Sequence, residues 1–592
     1  MARSHLWLGM LCLACLILLL ATAIPAPFTV DDCNYLSSVV ALRRGTLFLP
    51  GTAGLPASQA LYAFEPTAFI LKDPQSPVPP LVPPLYALVA YPFSYLGWHG
   101  LVLLNALATV GTVVLVFAAA RSLANQDRAG WYAATLWLLG ASTIEYAQGL
   151  WPHMLSVALT TAGMILVALA ITNRRHGQAA LAGFLMALAA GIRYQNAILL
   201  LCGLLALLVW GAQRVRASLS FAAGAWLPTL TSALINHARV RSWNPFSKGM
   251  HYASVGAGFS AGSGTGQGAS WPAREFLLSI WTRVVDYSAQ PPFHDRAQTY
   301  LHKLSTGDVV TQWGVLKKSW LQGSPWVLLG LAAVLLAWSR KYFFAAGARN
   351  HLRRIVLPVG AMLVVFGLAG VYRHDGLAFN QRYLLELAPL MAIAVAVSLA
   401  NHPLRWHWIA SGFAVGLVAA AIVLLAFRGA PAYRLQSLVP LLLGSIAASL
   451  GCVSLSRSRW SGPAGLAIAS CLAWSLTIHV STDLRGSRLA RQFNQRRLQL
   501  VEDVLPSAGP MAMLAAVGPH DAFCPLLLDH DAVVVTGTDV PVGDLLSVLD
   551  ALLPVRRVFV WLEGLPGETI VRLQSKYRMQ PMLPSLLVEI AK

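Results

Sequence analysis

Four groups of residues in this chain are of types that do chemistry, and each stands beside a long apolar run. Asp31 and Asp32 lie just past the first such run, Leu6–Ile24. A carboxylate near a membrane surface can act as general base on a hydroxyl that attacks a lipid-borne substrate, and adjacent carboxylates raise one another's proton affinity. The plain alternative is a solvated acidic loop. Glu145 and His153 follow, with Tyr146 and Gln148 between them. Acids and imidazoles at membrane depth are costly and often functional; otherwise they snorkel into water. Arg193-Tyr194-Gln195-Asn196 interrupts an apolar run without a proline. The planar fork of an arginine matches phosphate oxygens, while a tight polar turn between two helices reads equally well. Arg382 closes an outer cluster of Arg373, His374, Asp375, Asn380 and Gln381, directly before Tyr383 and another apolar run. A cation there can neutralise a phosphate leaving group or serve as an interfacial anchor.

The elements that must position these residues are membrane helices. The 592 residues are 56% hydrophobic and 11% charged, against roughly 25% charged in soluble domains. Val102–Ala120, Leu155–Ile171 and Leu384–Ala400 are nearly free of charge. The fold class expected is an α-helical polytopic membrane protein of about 13 spans, each needing about 20 apolar residues. Their centres fall near residues 15, 110, 138, 162, 186, 203, 226, 332, 363, 391, 417, 445 and 471.

Charge orients the bundle. Arg121 and Arg128, Arg174 and Arg175, Arg214 and Arg216, the five cations from Arg340 to Arg354, Arg405, and Arg457 and Arg459 all lie on one side if the N-terminus is cytoplasmic. That is the positive-inside pattern. The other side receives Pro25–Pro84, Glu145–His153, Arg193–Gln195, His237–Ser324, Arg373–Arg382, Arg428–Arg434 and the C-terminal tail, which hold nearly all the unusual polar chemistry. The net charge of +19 therefore reads as topology and contact with the anionic lipid bilayer. Nucleic acid is not an expected partner, because no basic stripe with interleaved aromatics occurs. The first run reads as an uncleaved anchor in the cytoplasmic (inner) membrane rather than a signal cleaved after Ala21-Thr22-Ala23.

Two outer loops, 25–84 and 237–324, belong to a membrane domain of residues 1–480. In the first, Tyr35–Phe48 reads as a helix in the interface and Pro77–Pro84 as a stiff connector. In the second, Gly256–Ser270 is a linker or lid rather than a phosphate loop, since no Lys-Ser/Thr follows it. Trp271–Tyr287 is an amphipathic helix candidate. Residues 481–592 form a small C-terminal α/β extracytoplasmic domain. There Leu484–Leu505 reads as a basic amphipathic helix. Met511–Ala516, Ala532–Val535 and Arg557–Trp561 read as strands, and Val542–Leu553 and Gly567–Ser575 as helices, which implies a partly parallel sheet. Of seven cysteines, five lie in apolar spans. Cys33 and Cys524 fall in polar segments, where separate thiols are the default and a bond between them is open. No Cys/His spacing suggests zinc.

The motifs, taken in order, resemble the GT-C superfamily of polyprenyl-phosphate-sugar-dependent glycosyltransferases. They are most like family 39, the protein mannosyltransferase-like and aminoarabinose-transferase-like enzymes. The likeness covers roughly residues 6–400. It rests on Phe28-Thr29-Val30-Asp31-Asp32-Cys33-Asn34-Tyr35, Pro83-Pro84-Leu85-Tyr86, Glu145–His153, Gly191–Asn196, Asn244-Pro245-Phe246 with Gly249 and Tyr252, and Gln381–Leu385. The resemblance implies inverting transfer of a sugar from a polyprenyl phosphate to an acceptor hydroxyl on a glycan, glycolipid or protein. Asp31 or Asp32 matches the family's first-loop acid, with a slight preference for Asp32. Glu145, His153, Arg193, Tyr194, Lys248, Tyr252 and Arg382 are the substrate-binding candidates, Arg193 and Arg382 toward the phosphate. Two departures stand out. His153 occupies a place where relatives often carry an acid, and the lysine expected near Pro83-Pro84 is no nearer than Lys72. No metal ligand is assigned, and a divalent cation has weak support from a single acidic pair. A secondary transporter is the main alternative, but the inverted repeats and broken helices it would show are not evident; a catalytically degenerate relative is the other.

Overall fold

The structure is a computed structural model that describes residues 2–28, 30–48, 69–71, 80, 82–173, 175–246, 250–252, 273–285, 318–339, 346–369, 382–400, 404–426, 431–456, 460–506, 509–516, 522–536 and 542–591. Lys72, Lys248, residues 256–270 and the cluster from Arg373 to Gln381 lie outside them.

All 13 expected centres fall inside helices. By length and composition, eight helices among the described residues suffice to cross a membrane, and three further apolar ones are shorter: His176–Ile192, Tyr194–Trp210 and Val327–Trp338. The chain is thus a multi-pass membrane protein; among the described residues eight helices are long and apolar enough to span on their own, which leaves the count of 13 unconfirmed. Helix Ala388–Leu399 is buried along its whole length. A helix that is apolar all round is a central pillar, not a surface element. By contrast, Leu6, Trp7, Leu13, Ile17 and Leu18 of the first helix, Ala2–Ala21, are exposed and suit lipid. Helices approach through small residues. A Cβ at Gly224 would overlap the Ala180 carbonyl, and one at Gly183 the Phe221 carbonyl.

The ends of the first helix fix the sense of the bundle. Ser4 Oγ donates to Asp127 at 2.6 Å, and Arg121 lies 3.1 Å from His5. The far end meets the other pole, where Gln148 Nε2 donates to Thr22 Oγ1 at 2.5 Å. Residues 121–128 and 145–153 thus lie at opposite ends, as the charge pattern requires.

Two expectations about helices change. The outer helix runs Val30–Arg43 rather than 35–48, so both aspartates sit in a helical first turn, where carboxylates complement the dipole. The basic helix Arg485–Glu502 is not a separate element. It continues helix Ser461–Ile478 through a π-helical segment, His479–Leu484. That segment is pinned by the buried Lys318 amine, 2.5 Å from Asp483, whose other oxygen lies 2.8 Å from His479 Nδ1.

Two short strands from the loops 25–84 and 237–324, β1 (Phe69–Leu71) and β2 (Met250–Tyr252), pair antiparallel. The C-terminal domain contains β3 (Met511–Ala515), β4 (Ala532–Thr536), β5 (Arg557–Trp561), β6 (Arg578–Leu583) and β7 (Leu587–Ala591), in the order β4-β3-β5-β7-β6. β3 is parallel to β4 and β5, while β7 runs antiparallel to β5 and β6. The final hairpin was not foreseen, because the polar face of β6 gives it little strand signal. Alternate residues face opposite ways. Ala512, Leu514, Val558 and Val560 pack under helices Val542–Leu552 and Gly567–Lys576. Met511, Met513, Phe559 and Trp561 join Phe523 in a core continuous with that of the membrane domain.

The junction is also ionic and covalent. Arg497 grips Glu563 with two hydrogen bonds of 3.1 and 2.7 Å, and Trp561 Nε1 adds a third at 3.0 Å. Cys33 and Cys524 are bonded, with Cα atoms 5.5 Å apart, so they are not the separate thiols expected. Partial burial acts to raise the Glu563 carboxyl; the Arg497 hydrogen bond and charge outweigh it and hold the group below its ordinary value. A depressed acid stabilises the fold above its unfolded value and loses that contribution as pH falls through the folded one. Thermal unfolding of the domain is therefore expected to separate wild type from Glu563→Gln near neutrality. The gap should close below about pH 4, the ordinary glutamate range. A gap constant down to pH 3 contradicts the assignment.

Candidate functional site

The pole that carries Thr22 and residues 145–153 is organised around a strap, residues 149–151, whose backbone polar groups are met by side chains from elsewhere. Asn105, buried in helix Gly97–Ala124, donates to the carbonyls of Gly149 and Trp151, both at 2.7 Å. Tyr86 donates to Leu150 O at 2.8 Å, and Leu150 N donates to Asp32 Oδ1 at 3.1 Å. Buried backbone groups must be paired, and here the pairing fixes the strap in one place. A Cβ on Gly149 would lie 2.9 Å from Arg491 Nη2, so that guanidinium would have to shift.

The two aspartates separate. Asp32 is fully buried, and its Oδ2 accepts from Phe28 N at 2.7 Å. Its carboxylate is committed to the strap and to the segment before the helix. Asp31 keeps 38% of its side chain exposed, and its Oδ2 accepts from Arg382 Nη1 at 2.6 Å across 351 residues of sequence. Of the two, Asp31 is the one whose carboxylate reaches solvent. Tyr35, one turn on, packs edge-on to Tyr86 at 5.0 Å. Burial, and after it the charge of Asp31, pushes its phenol above the ordinary range, so it stays neutral.

Arg382 opens the 3₁₀ turn Arg382–Leu387 that leads into the central pillar. Its guanidinium lies over Trp151 at 5.4 Å and Tyr383 at 5.2 Å, contacts that favour a cation. Its Nε has no hydrogen-bond partner. Arg193 stands nearby, 5.7 Å over Tyr383, but its Nη1 donates to Glu386 Oε1 in a buried ion pair. The same oxygen accepts from Ser156 at 3.1 Å and Gln195 at 3.4 Å. Arg193 Nη2 is buried without a partner. His153 stacks on Tyr146 at 4.7 Å and meets Trp151 at 5.3 Å, with neither ring nitrogen hydrogen-bonded.

The other candidates are less central. Glu145 is buried on the short helix Thr143–Ala147, where its charge acts on Arg491. Tyr194 packs against Phe246 at 6.0 Å and accepts from Asn236 at 3.5 Å. Tyr252 pairs through its backbone with Phe69, and its side chain lies outside the described residues, as does all of Lys248. A cation does stand at the Pro-Pro segment: buried Arg239 donates to Val82 O at 3.3 Å. Among the described residues no three His, Cys, Asp or Glu side chains converge as metal ligands would.

Sequence reasoning missed Glu386, Asn105 and Arg491. Glu386 carried a signal, an acid inside an apolar run. Arg491 carried none, because it lies in the helix assigned to the other domain.

No family model matches the chain, and no curated protein matches it. Solved structures do, among them two of ArnT from Cupriavidus metallidurans. The apo structure gives a TM-score of 0.51 and the structure bound to undecaprenyl phosphate gives 0.50. Each is 14% identical, covering 99% of this chain and 97% of that one. The protein therefore has the fold of the GT-C superfamily glycosyltransferases, and the likeness runs through the C-terminal domain as well as the helices.

Proposed function

We propose that this protein is an inverting membrane glycosyltransferase that moves a sugar from a polyprenyl-phosphate donor to an acceptor hydroxyl on the outer face of the cytoplasmic membrane. The observation that carries this reading is the meeting of Asp31 and Arg382, a partly exposed carboxylate and a cation whose Nε has no hydrogen-bond partner, at the pole of a GT-C fold. A relative of that fold binds undecaprenyl phosphate. The donor phosphate takes Arg382 away from Asp31, which frees Oδ2 to accept the proton of the acceptor hydroxyl. The hydroxyl oxygen attacks the anomeric carbon from the face opposite the phosphate, and the bond from that carbon to the phosphate oxygen breaks. Arg382, with the free Nη2 of Arg193 behind it, holds the charge of the departing polyprenyl phosphate. His153 offers ring nitrogens to sugar hydroxyls. Disulfides persist in oxidising compartments, so the Cys33–Cys524 bond supports an outer location for this pole and for the C-terminal domain.

The test is incubation of the purified protein in lipid with a panel of polyprenyl-phosphate hexoses and pentoses and a cell-envelope extract as acceptor. One donor should be consumed, with polyprenyl phosphate released and the glycosylated acceptor identified by mass spectrometry. Arg382→Ala should lower kcat/KM by about 10²–10³-fold, the usual loss for one charge-stabilising group. Consumption of no donor, or an Arg382→Ala variant as active as wild type, refutes the reading.

A further inference from the structure

Helix Val30–Arg43 is held from two sides. The membrane domain grips it through Asp32 and through Arg43, which donates to Ser94 O at 3.4 Å. The C-terminal domain grips both ends. Cys33 is bonded to Cys524 across 491 residues, and Arg44 pairs with Asp531 at 3.0 Å and donates to His530 O at 2.8 Å.

The order of contacts in the first turn is informative. Successive helical residues point about 100° apart. Asp31 is fixed to Arg382 of the second half of the chain, Asp32 to the strap at residue 150, and Cys33 to the C-terminal domain. Three consecutive side chains are thus tied in three directions to three segments far apart in the sequence. Such a turn cannot rotate about its axis or slide along it. Two of the ties are non-covalent, and one of those, to Arg382, is the contact that a donor phosphate would take over.

We propose that the Cys33–Cys524 cross-link makes the C-terminal domain a positioning element for sugar transfer, fixing the rotation of the first turn so that Asp31 stays aimed at the reacting hydroxyl after Arg382 has turned to the phosphate. This rests on the transfer reaction proposed above. Cys33 and Cys524 are positioning residues; they touch no substrate. Misplacement of a reacting group by about 1 Å costs about 10²-fold in rate. Cutting the cross-link leaves Asp32 and the Arg44 pair in place, so the protein stays folded while its first turn gains freedom. Donor binding, which uses the membrane-domain arginines, is not affected.

The test uses the full-length protein in lipid, as wild type, Cys524→Ala and Cys33→Ala/Cys524→Ala. Wild type reduced by a trialkylphosphine gives the cut state without substitution; the S–S bond takes two electrons from phosphorus, water supplies the oxygen of the phosphine oxide and the two protons, and two thiols, counted by alkylation and mass, are released. Amide hydrogen exchange across residues 30–43 is expected to rise by at least tenfold in every cut form, with protection of β3, β5 and β7 retained. The kcat for a short-chain polyprenyl-phosphate sugar should fall by about 10–100-fold, with KM within about threefold of wild type. Unchanged exchange in a fully reduced or substituted protein overturns the proposal. So does faster exchange with undiminished kcat, and so does a loss confined to KM. Absence of transfer by oxidised wild type refutes the proposed function itself, and is distinguishable because the exchange measurement does not depend on activity.

Discussion

Asp31→Asn is expected to lower kcat by about 10²–10⁴-fold, the usual contribution of a positioned general base, while leaving the protein folded. The neighbouring Asp32→Asn should do the reverse, and the difference follows from environment. Asp31 is 38% exposed and its one ion pair, with Arg382, lies at the rim of the site. Arg382 is only 12% exposed, so the charge is not free to lose, but Asp31 itself faces water and the guanidinium keeps the amide oxygen and the Trp151 and Tyr383 rings, so the cost expected is about 1 kcal/mol, below that at Asp32. An amide can still accept from Arg382, but it cannot take a proton from a hydroxyl. Asp32 is fully buried, accepts from two backbone amides, and faces Arg491. Removing that charge leaves a buried guanidinium with less compensation, at a cost of about 1–3 kcal/mol. Activity and thermal unfolding of both variants in the same lipid decide the matter. Retained transfer by Asp31→Asn, with loss only in Asp32→Asn, moves the base to Asp32 and overturns the assignment made here.

Much of the fold was readable because a bilayer imposes a strong constraint on sequence. Every spanning helix needs a long apolar run, and the loops at one end of the bundle gather arginine. The 13 helix positions, the sharing of one pole by Asp31, His153, Arg193 and Arg382, and the three parallel strands all follow from that patterning and from alternation. What was not readable depends on contacts between distant segments. Nothing local separates Asp31 from Asp32. Only the strap at Leu150 and the second-half Arg382 show that one is structural and the other accessible. Helix Val30–Arg43 begins earlier than its apolar periodicity suggests, because Val30-Asp31-Asp32 supplies a polar first turn. The Cys33–Cys524 bond could not be deduced from spacing, since it joins segments 491 residues apart. Arg193 illustrates a subtler limit. Residue type and position suggested a phosphate ligand, yet part of its charge is already committed to Glu386.

That commitment predicts a large effect on stability. Arg193 and Glu386 are 5% and 1% exposed, one at the turn between two helices and the other at the entrance to the central pillar. Breaking a buried pair from one side leaves an uncompensated charge and costs about 3–5 kcal/mol. Glu386→Gln and Arg193→Met should each lower unfolding stability by about that amount, as measured by denaturant titration in detergent. Glu386→Gln is the more telling of the two, because it also releases Arg193. Removing both charges, in Arg193→Met/Glu386→Met, should recover a large share of the stability, since an apolar replacement of a buried pair is often neutral. It should not recover transfer, because the free edge of Arg193 is assigned to the donor phosphate. Stability and activity would then part company in one variant: restored folding with kcat/KM still about tenfold or more below wild type, as expected for a lost charge-stabilising contact. A double variant that regains full activity removes Arg193 from the phosphate site and leaves Arg382 to meet the leaving group alone. Single variants as stable as wild type show instead that water reaches the pair, and that the pillar is held by packing of residues 388–399 rather than by its charged entrance.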